Sequence, residues 1–366
     1  MRYRFAAIVL AGAFLSSAPL SLPASAQTPR VSPVASFDQE VTGVAASEDG
    51  RVFVNFPRWN ADVPVSVAEV RRDGSTVAYP DAEWNRWRNA TAMQVDPRNH
   101  WVNVQSVVAD GRGSLWVLDP GAPNAEKVLP GAPKLVRIDL RSNSVQRVYP
   151  FDETVAPADS YLNDVRFSAD GRHAFMTDSG RGAIVVLDLD SGTATRFLDR
   201  HPTTMLDPSV QVMTDGRPLR RPDGRQPMFN ADGIALTPDG YLIWQALTGR
   251  TLYRVPTREL TRPDATADSV ARAVERLADN RVADGLLMTR DGRLLITAPE
   301  DNAVRVMRGN GPITTLVQDR RLRWPDSLAE EPDGSILVTA SRIQDNDWFK
   351  PDGRPGVSTQ LFRISQ

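Results

Sequence analysis

Short apolar–polar alternations recur six times along the chain, each broken by a glycine turn. The six copies begin at Thr42, Gln105, Asn163, Asp232, Asp284 and Asp326. Each start lies 8 residues before its turn glycine: Gly50, Gly113, Gly171, Gly240, Gly292 and Gly334. TGVAASEDGRVFV and DGIALTPDGYLIW are representative. Period-two alternation predicts strands, and Asp-Gly between two such runs predicts a hairpin, because glycine accepts the positive φ of the turn. Third strands follow from Lys134, Ala183, Thr251, Ala303 and Gln360, and fourth strands from Ser144, Thr193 and Ile313. The starts are 42 to 69 residues apart, room for four strands and their turns. That is the size of one propeller blade. The fold class is therefore all-β, a six-bladed β-propeller forming a single domain over residues 27–366.

The last blade runs out of chain after its third strand, and the segment 31–37 (VSPVASF) has no partner of its own. It is expected to supply the outer strand of blade six, which removes the exposed edge of an open sheet. Residues 265–278 place Val270, Val274 and Leu277 on one face at helical spacing and predict a surface helix between blades four and five. Residues 207–230 carry RPLRRPDGR and are too long for a routine connection, which leaves a lid over the site or a disordered loop.

Composition narrows the setting. Arg2 and Arg4 precede an apolar run over 5–15, and Ala24-Ser25-Ala26 is a small-x-small cleavage site. Residues 1–26 read as a signal peptide, so the protein is expected to be secreted or periplasmic, with no membrane attachment after cleavage. The formal charge is −2, and losing the two arginines takes it to −4. A nucleic-acid partner needs a basic excess and is not expected. Cysteine is absent, which excludes disulfides, a thiol nucleophile and covalently attached haem. No phosphate-cradling glycine loop or G-x-S-x-G elbow occurs, so neither a nucleotide cofactor nor a hydrolase of that class is expected. A monomer that takes a small-molecule ligand is.

The candidate chemistry lies in the repeat starts. In a propeller they head the innermost strands and face one another around the central channel. Thr42, Gln105, Asn163, Asp232, Asp284 and Asp326 then form an oxygen-rich ring. Three crowded carboxylates need a cation, or one of them must hold a proton at raised pKa. Oxygen ligands favour calcium or magnesium, and zinc remains possible. In the metal reading Asp232 and Asp284 hold one divalent cation and Asn163 orients the substrate. Asp326, with Asp284, is the candidate catalytic base, while Thr42, Gln105, Asn163 and His201 contact the ligand. The turn aspartates Asp49, Asp170, Asp239, Asp291 and Asp333 belong to hairpins at the opposite face and read as structural. His100 and His173 are too far apart in sequence to suggest a local metal motif.

FPRWNADVPVSVAEV from Phe56, YPDAEWN from Tyr79 and LWVLDPG from Leu115 resemble segments of the yellow / major royal jelly protein family. So do YLNDVRFS and the stretch from Asp232 to Val255. The resemblance covers nearly all of the mature chain. It implies a secreted six-bladed propeller whose relatives include proteins of dopachrome conversion and others that bind small amines or sterols. Many insect members carry cysteines that this chain lacks. A more distant resemblance is to the gluconolactonase / senescence-marker propellers, which hold a divalent metal at the channel mouth on Glu, Asn and Asp. Asn163, Asp232 and Asp284 match those positions in type, but Thr42 stands where that family has its Glu, and Glu40 lies two residues earlier. The expected functions are lactone hydrolysis or dopachrome-type isomerisation, with non-catalytic ligand binding or a protein scaffold as the alternatives.

Overall fold

The structure is a computed structural model that describes residues 29–60, 63–350 and 358–365, besides Met1 and Tyr3. The signal-peptide segment lies outside the described residues. Six four-stranded antiparallel sheets follow one another in chain order. Blade one comprises Val44–Ala46, Val52–Asn55, Val67–Val70 and Thr76–Ala78; blade two comprises Ser106–Ala109, Ser114–Asp119, Lys134–Asp139 and Ser144–Pro150. Blade three runs from Leu162–Phe167 to Ala194–Phe197, blade four from Ala231–Leu236 to Glu275–Asp279, and blade five from Leu286–Met288 to Thr314–Gln318. The inner strand of each blade packs on that of the next, and the sixth returns to the first, which closes the ring.

Blade six joins the two ends of the chain. Pro325–Glu330, Ile336–Ala340 and Thr359–Ser365 are completed by Arg30–Phe37, which pairs antiparallel with Thr359–Ser365. Alternate residues Val31, Ala35 and Phe37 of this strap turn inward and are buried. Phe37 meets Phe56 of blade one edge-on at 5.2 Å, so the strap also locks the first blade to the last.

Two sequence expectations change. The helix expected over 265–278 is confined to Ala267–Ala273, capped by Thr266 and Ser269 in a capping box. Glu275–Asp279 is the outer strand of blade four. Val274 turns extended at the helix end, and the need to pair the edge of Thr251–Pro256 outweighs the helical spacing of Leu277. Residues 207–230 form a cover: Met213–Thr214 pairs with Arg217–Pro218, and Val210, Val212 and Leu219 pack with Leu247, Trp324 and Ile343 over one mouth of the channel. An ion pair from Arg323 to Asp215 at 2.7 Å fastens the hairpin. Among the described residues no helix is long and apolar enough to cross a membrane.

Candidate functional site

The repeat starts reach the channel because the inner strands bulge there. Pairing registers shift between Leu162 and Val165, between Ala231 and Ile234, and between Pro325 and Leu328. Each shift brackets a repeat start: Asn163, Asp232 or Asp326. A bulge re-aims a side chain that regular pleating would send into the sheet. Backbone closeness then fixes the ring. A Cβ on Gly233 would sit 2.1 Å from the Asp284 carbonyl oxygen, and one on Gly285 2.2 Å from that of Asp326. The Gly285 N–H donates to the Asp326 carbonyl at 3.0 Å, and Thr177 Oγ1 donates to that of Asp232 at 2.5 Å. Glycine after aspartate in these inner strands therefore serves blade contact. Gly285→Ala is expected to destabilise the protein by about 1–3 kcal/mol, the usual cost of overpacking, and to displace Asp326. A urea midpoint equal to the parent's would contradict this.

Gln105, Asn163, Asp232, Asp284 and Asp326 line one cavity of about 680 Å³. Thr42 does not join them. It is fully buried beside the channel, where its Oγ1 accepts from Asn55 Nδ2 at 2.8 Å and donates to the Gln105 carbonyl at 3.4 Å. His201 is also absent from the lining; its Nδ1 lies 2.9 Å from Thr203 Oγ1 in a turn, and burial lowers its pKa. Glu40 is half-buried, accepts from Asn346 Nδ2 at 3.0 Å, and is pushed up to about 8 by burial.

The cavity walls come from residues off the repeat: Trp59, Tyr161, Phe229, Trp324, Ile343 and Trp348. Trp59 and Trp348 meet at 4.7 Å, and the Arg221 guanidinium lies 5.6 Å from the Trp348 ring centre. Tyr161, Phe229 and Trp324 sit in connections between blades, and Trp59, Ile343 and Trp348 in loops within blades one and six. The available signal was their clustering in loops that end on the same face as the repeat starts. Trp324 has φ 53°, a costly conformation for a bulky residue, of the kind that gathers at functional sites. It directs its indole N–H to Asp284 Oδ2 at 2.7 Å.

The floor is acidic. Asp232, Asp284 and Asp326 are buried, and among the described residues none of the three has a Lys, Arg or His within ion-pair distance. Lys127 and Arg221 line the same cavity without pairing to them. Asp232 and Asp284 are hydrogen-bonded to each other. Burial pushes Asp284 up to about 7, against the opposing hydrogen bonds from Trp324 and Asp232. Burial, then the charge of Asp284, raises Asp232 and Asp326 well above the carboxylate range. Asp326 accepts from Ser341 Oγ at 2.9 Å and Ser327 Oγ at 3.1 Å. A fourth carboxylate, Asp164, adds to the field. It accepts from Ser106 Oγ at 3.0 Å and lies 3.6 Å from Arg166, which donates across the channel to the Leu286 carbonyl at 2.7 Å.

Asp232 and Asp284 are engaged with each other, Asp284 with Trp324, and Asp326 with two serines. Among the described residues no three acidic or imidazole side chains converge on a point that could hold an ion.

Comparisons place the chain among known proteins. Residues 102–345 match the family described as major royal jelly protein. Protein yellow of Drosophila guanche is 25% identical over 313 residues, 80% of this chain and 54% of the relative. Protein yellow of Drosophila melanogaster is 24% identical over the same length, 57% of the relative. The chain thus spans little more than half the length of these curated relatives. A gluconolactonase from Xanthomonas campestris superposes with a TM-score of 0.54 at 14% identity, over 94% of this chain and 96% of that one. A calcium-binding protein, regucalcin, from Agrobacterium tumefaciens gives 0.52 at 13% identity, over 91% and 95%. At such identity the structural likeness is one of fold.

Proposed function

The chain belongs to the major royal jelly protein family, and on that premise we propose that it is an exported propeller whose channel mouth binds a small organic cation, an amine with a flat apolar body. The observation that carries this reading is the buried Asp232, Asp284 and Asp326, unpaired with any basic side chain among the described residues, beneath a wall of Trp59, Tyr161, Trp324 and Trp348. Unpaired buried carboxylates are costly, and a ligand ammonium would compensate them. Aromatic faces add attraction for a cation and area for a ring. The volume of about 680 Å³ falls within the range of small-molecule sites. Asp284, poised near neutrality, and Asp326 are the groups that would move a proton if the bound ligand is isomerised.

Fold relatives named for gluconolactonase activity and calcium binding make a divalent ion at Asn163, Asp232 and Asp284 the competing outcome. The test is calorimetric titration of the mature protein with benzylamine, beside elemental analysis of protein purified without chelator. Saturable benzylamine binding that is lost in Asp232→Ala supports the amine reading. No benzylamine heat, together with near-stoichiometric calcium, magnesium or zinc, overturns it in favour of a metal site.

A further inference from the structure

The Tyr161 hydroxyl lies between three side chains, and its hydrogen bonds can run in one sense only. Trp59 Nε1 donates to it at 2.8 Å, and an indole nitrogen is a donor only. Asn103 Nδ2 donates to it at 3.0 Å. That nitrogen also donates to the Ala122 carbonyl at 2.8 Å, which fixes the orientation of the Asn103 amide. With both lone pairs used, the hydroxyl must give its single proton to the third neighbour, and it does so to Gln105 Oε1 at 2.9 Å. The Gln105 amide is thereby locked with its oxygen toward Tyr161. Its nitrogen, which bonds no protein group among the described residues, belongs to a side chain lining the cavity.

The ring order gives this donor a direction. With six blades closed in sequence, blade two, which carries Gln105, stands across the channel from blade five, which carries Asp284. Asn163 stands beside Gln105 on blade three, its Nδ2 bonded to Ser179 Oγ at 3.1 Å. One half of the mouth is thus amide and the other half, on blades four to six, is carboxyl. We infer that Gln105 offers an N–H to an oxygen acceptor on the ligand, so that the ligand is an aromatic amine bearing a carbonyl or comparable acceptor at the end remote from its ammonium. Tyr161 is the positioning residue that sets this preference. The inference rests on the amine reading and narrows it to a class of ligand.

The experiment compares benzylamine with para-acetylbenzylamine, which adds only an acceptor opposite the amine. Calorimetry on the full protein is expected to give three- to tenfold tighter binding of the acetyl compound, the worth of one neutral hydrogen bond. Gln105→Glu, which has no N–H to offer, should erase that ratio. Tyr161→Phe, which keeps the ring and frees the amide to turn, should reduce the ratio of the two affinities; a purely structural role would weaken both ligands alike and leave the ratio unchanged. Equal binding of the two amines to the parent protein overturns the inference and leaves the amine reading standing. Failure of both amines to bind overturns both.

Discussion

Asp232→Asn is expected to raise the thermal midpoint at about pH 8 and to weaken benzylamine binding on the order of a hundredfold in the same protein. Asparagine keeps the shape of the side chain and removes one charge from a buried cluster of four carboxyls. Stability should rise because Asp284, Asp326 and Asp164 no longer face that charge in a medium that screens poorly. Binding should fall because a buried charge opposite a ligand ammonium contributes roughly 2–5 kcal/mol. Opposite signs for stability and affinity distinguish a ligand-compensated site from a structural carboxylate, whose loss would lower both.

The pH dependence carries the same logic. A carboxyl whose folded pKa is raised above its unfolded value of about 4 stabilises the fold fully below that value. The contribution is lost as pH rises through the folded value, about 7 for Asp284. Glu40, at about 8, acts in the same sense. Asp345 acts in the opposite sense. Burial alone would raise it, but hydrogen bonds from Arg323 and Lys350 outweigh that and hold it at about 2, so its contribution is lost only in strong acid. Ligand-free protein should therefore lose up to about 1.4 kcal/mol per pH unit for each such group as pH climbs from about 4 toward 7. Asp284→Asn should flatten that slope, and melting curves at about pH 5 and pH 8 read it. A variant that is less stable than the parent at the higher pH would show that Asp284 carries no uncompensated charge.

Deleting the chain through Phe37 is expected to abolish recovery of soluble monomer. The deletion removes Val31, Ala35 and Phe37 from the core and bares the whole of Thr359–Ser365 as an edge. Fully burying Val and Phe side chains contributes about 1.5–3 kcal/mol each, before the lost ladder is counted. An unpaired edge also invites association with another chain. Phe37→Ala should lie between, at about 3–5 kcal/mol of lost stability, read as a shifted urea midpoint. A truncated chain that stays monomeric and melts with the parent would mean the ring does not depend on its strap.

The repeat made the ring legible in the sequence. An Asp-Gly hairpin at a constant offset from a polar start counts blades, and an unpartnered strand at one end implies closure at the other. That same offset located Gln105, Asn163, Asp232, Asp284 and Asp326 at one mouth. Thr42 escaped the pattern because its hydroxyl is taken up by Asn55 and the Gln105 carbonyl. His201 does not reach the mouth, because its ring is held in a turn against Thr203. The helical spacing of 265–278 misled because seven residues of helix lead directly into a strand, and local periodicity does not register the demand of a sheet edge. The aromatic wall was not legible. Trp59, Tyr161 and Trp348 lie outside the inner strands, and only the closed ring brings them together with Phe229 of the cover over 207–230.

On the proposed reading an organic cation completes the acidic floor. The measurement that tests it most directly is benzylamine affinity across about pH 5 to pH 8. As the raised carboxyls release their protons, the site gains charge while the amine keeps its own. Affinity is expected to rise by up to about tenfold per pH unit as pH approaches the value of about 7 at which Asp284 titrates, with protons released on binding. Affinity that is flat or falls as pH rises would contradict it, because the ligand would then be held by groups other than Asp232, Asp284 and Asp326.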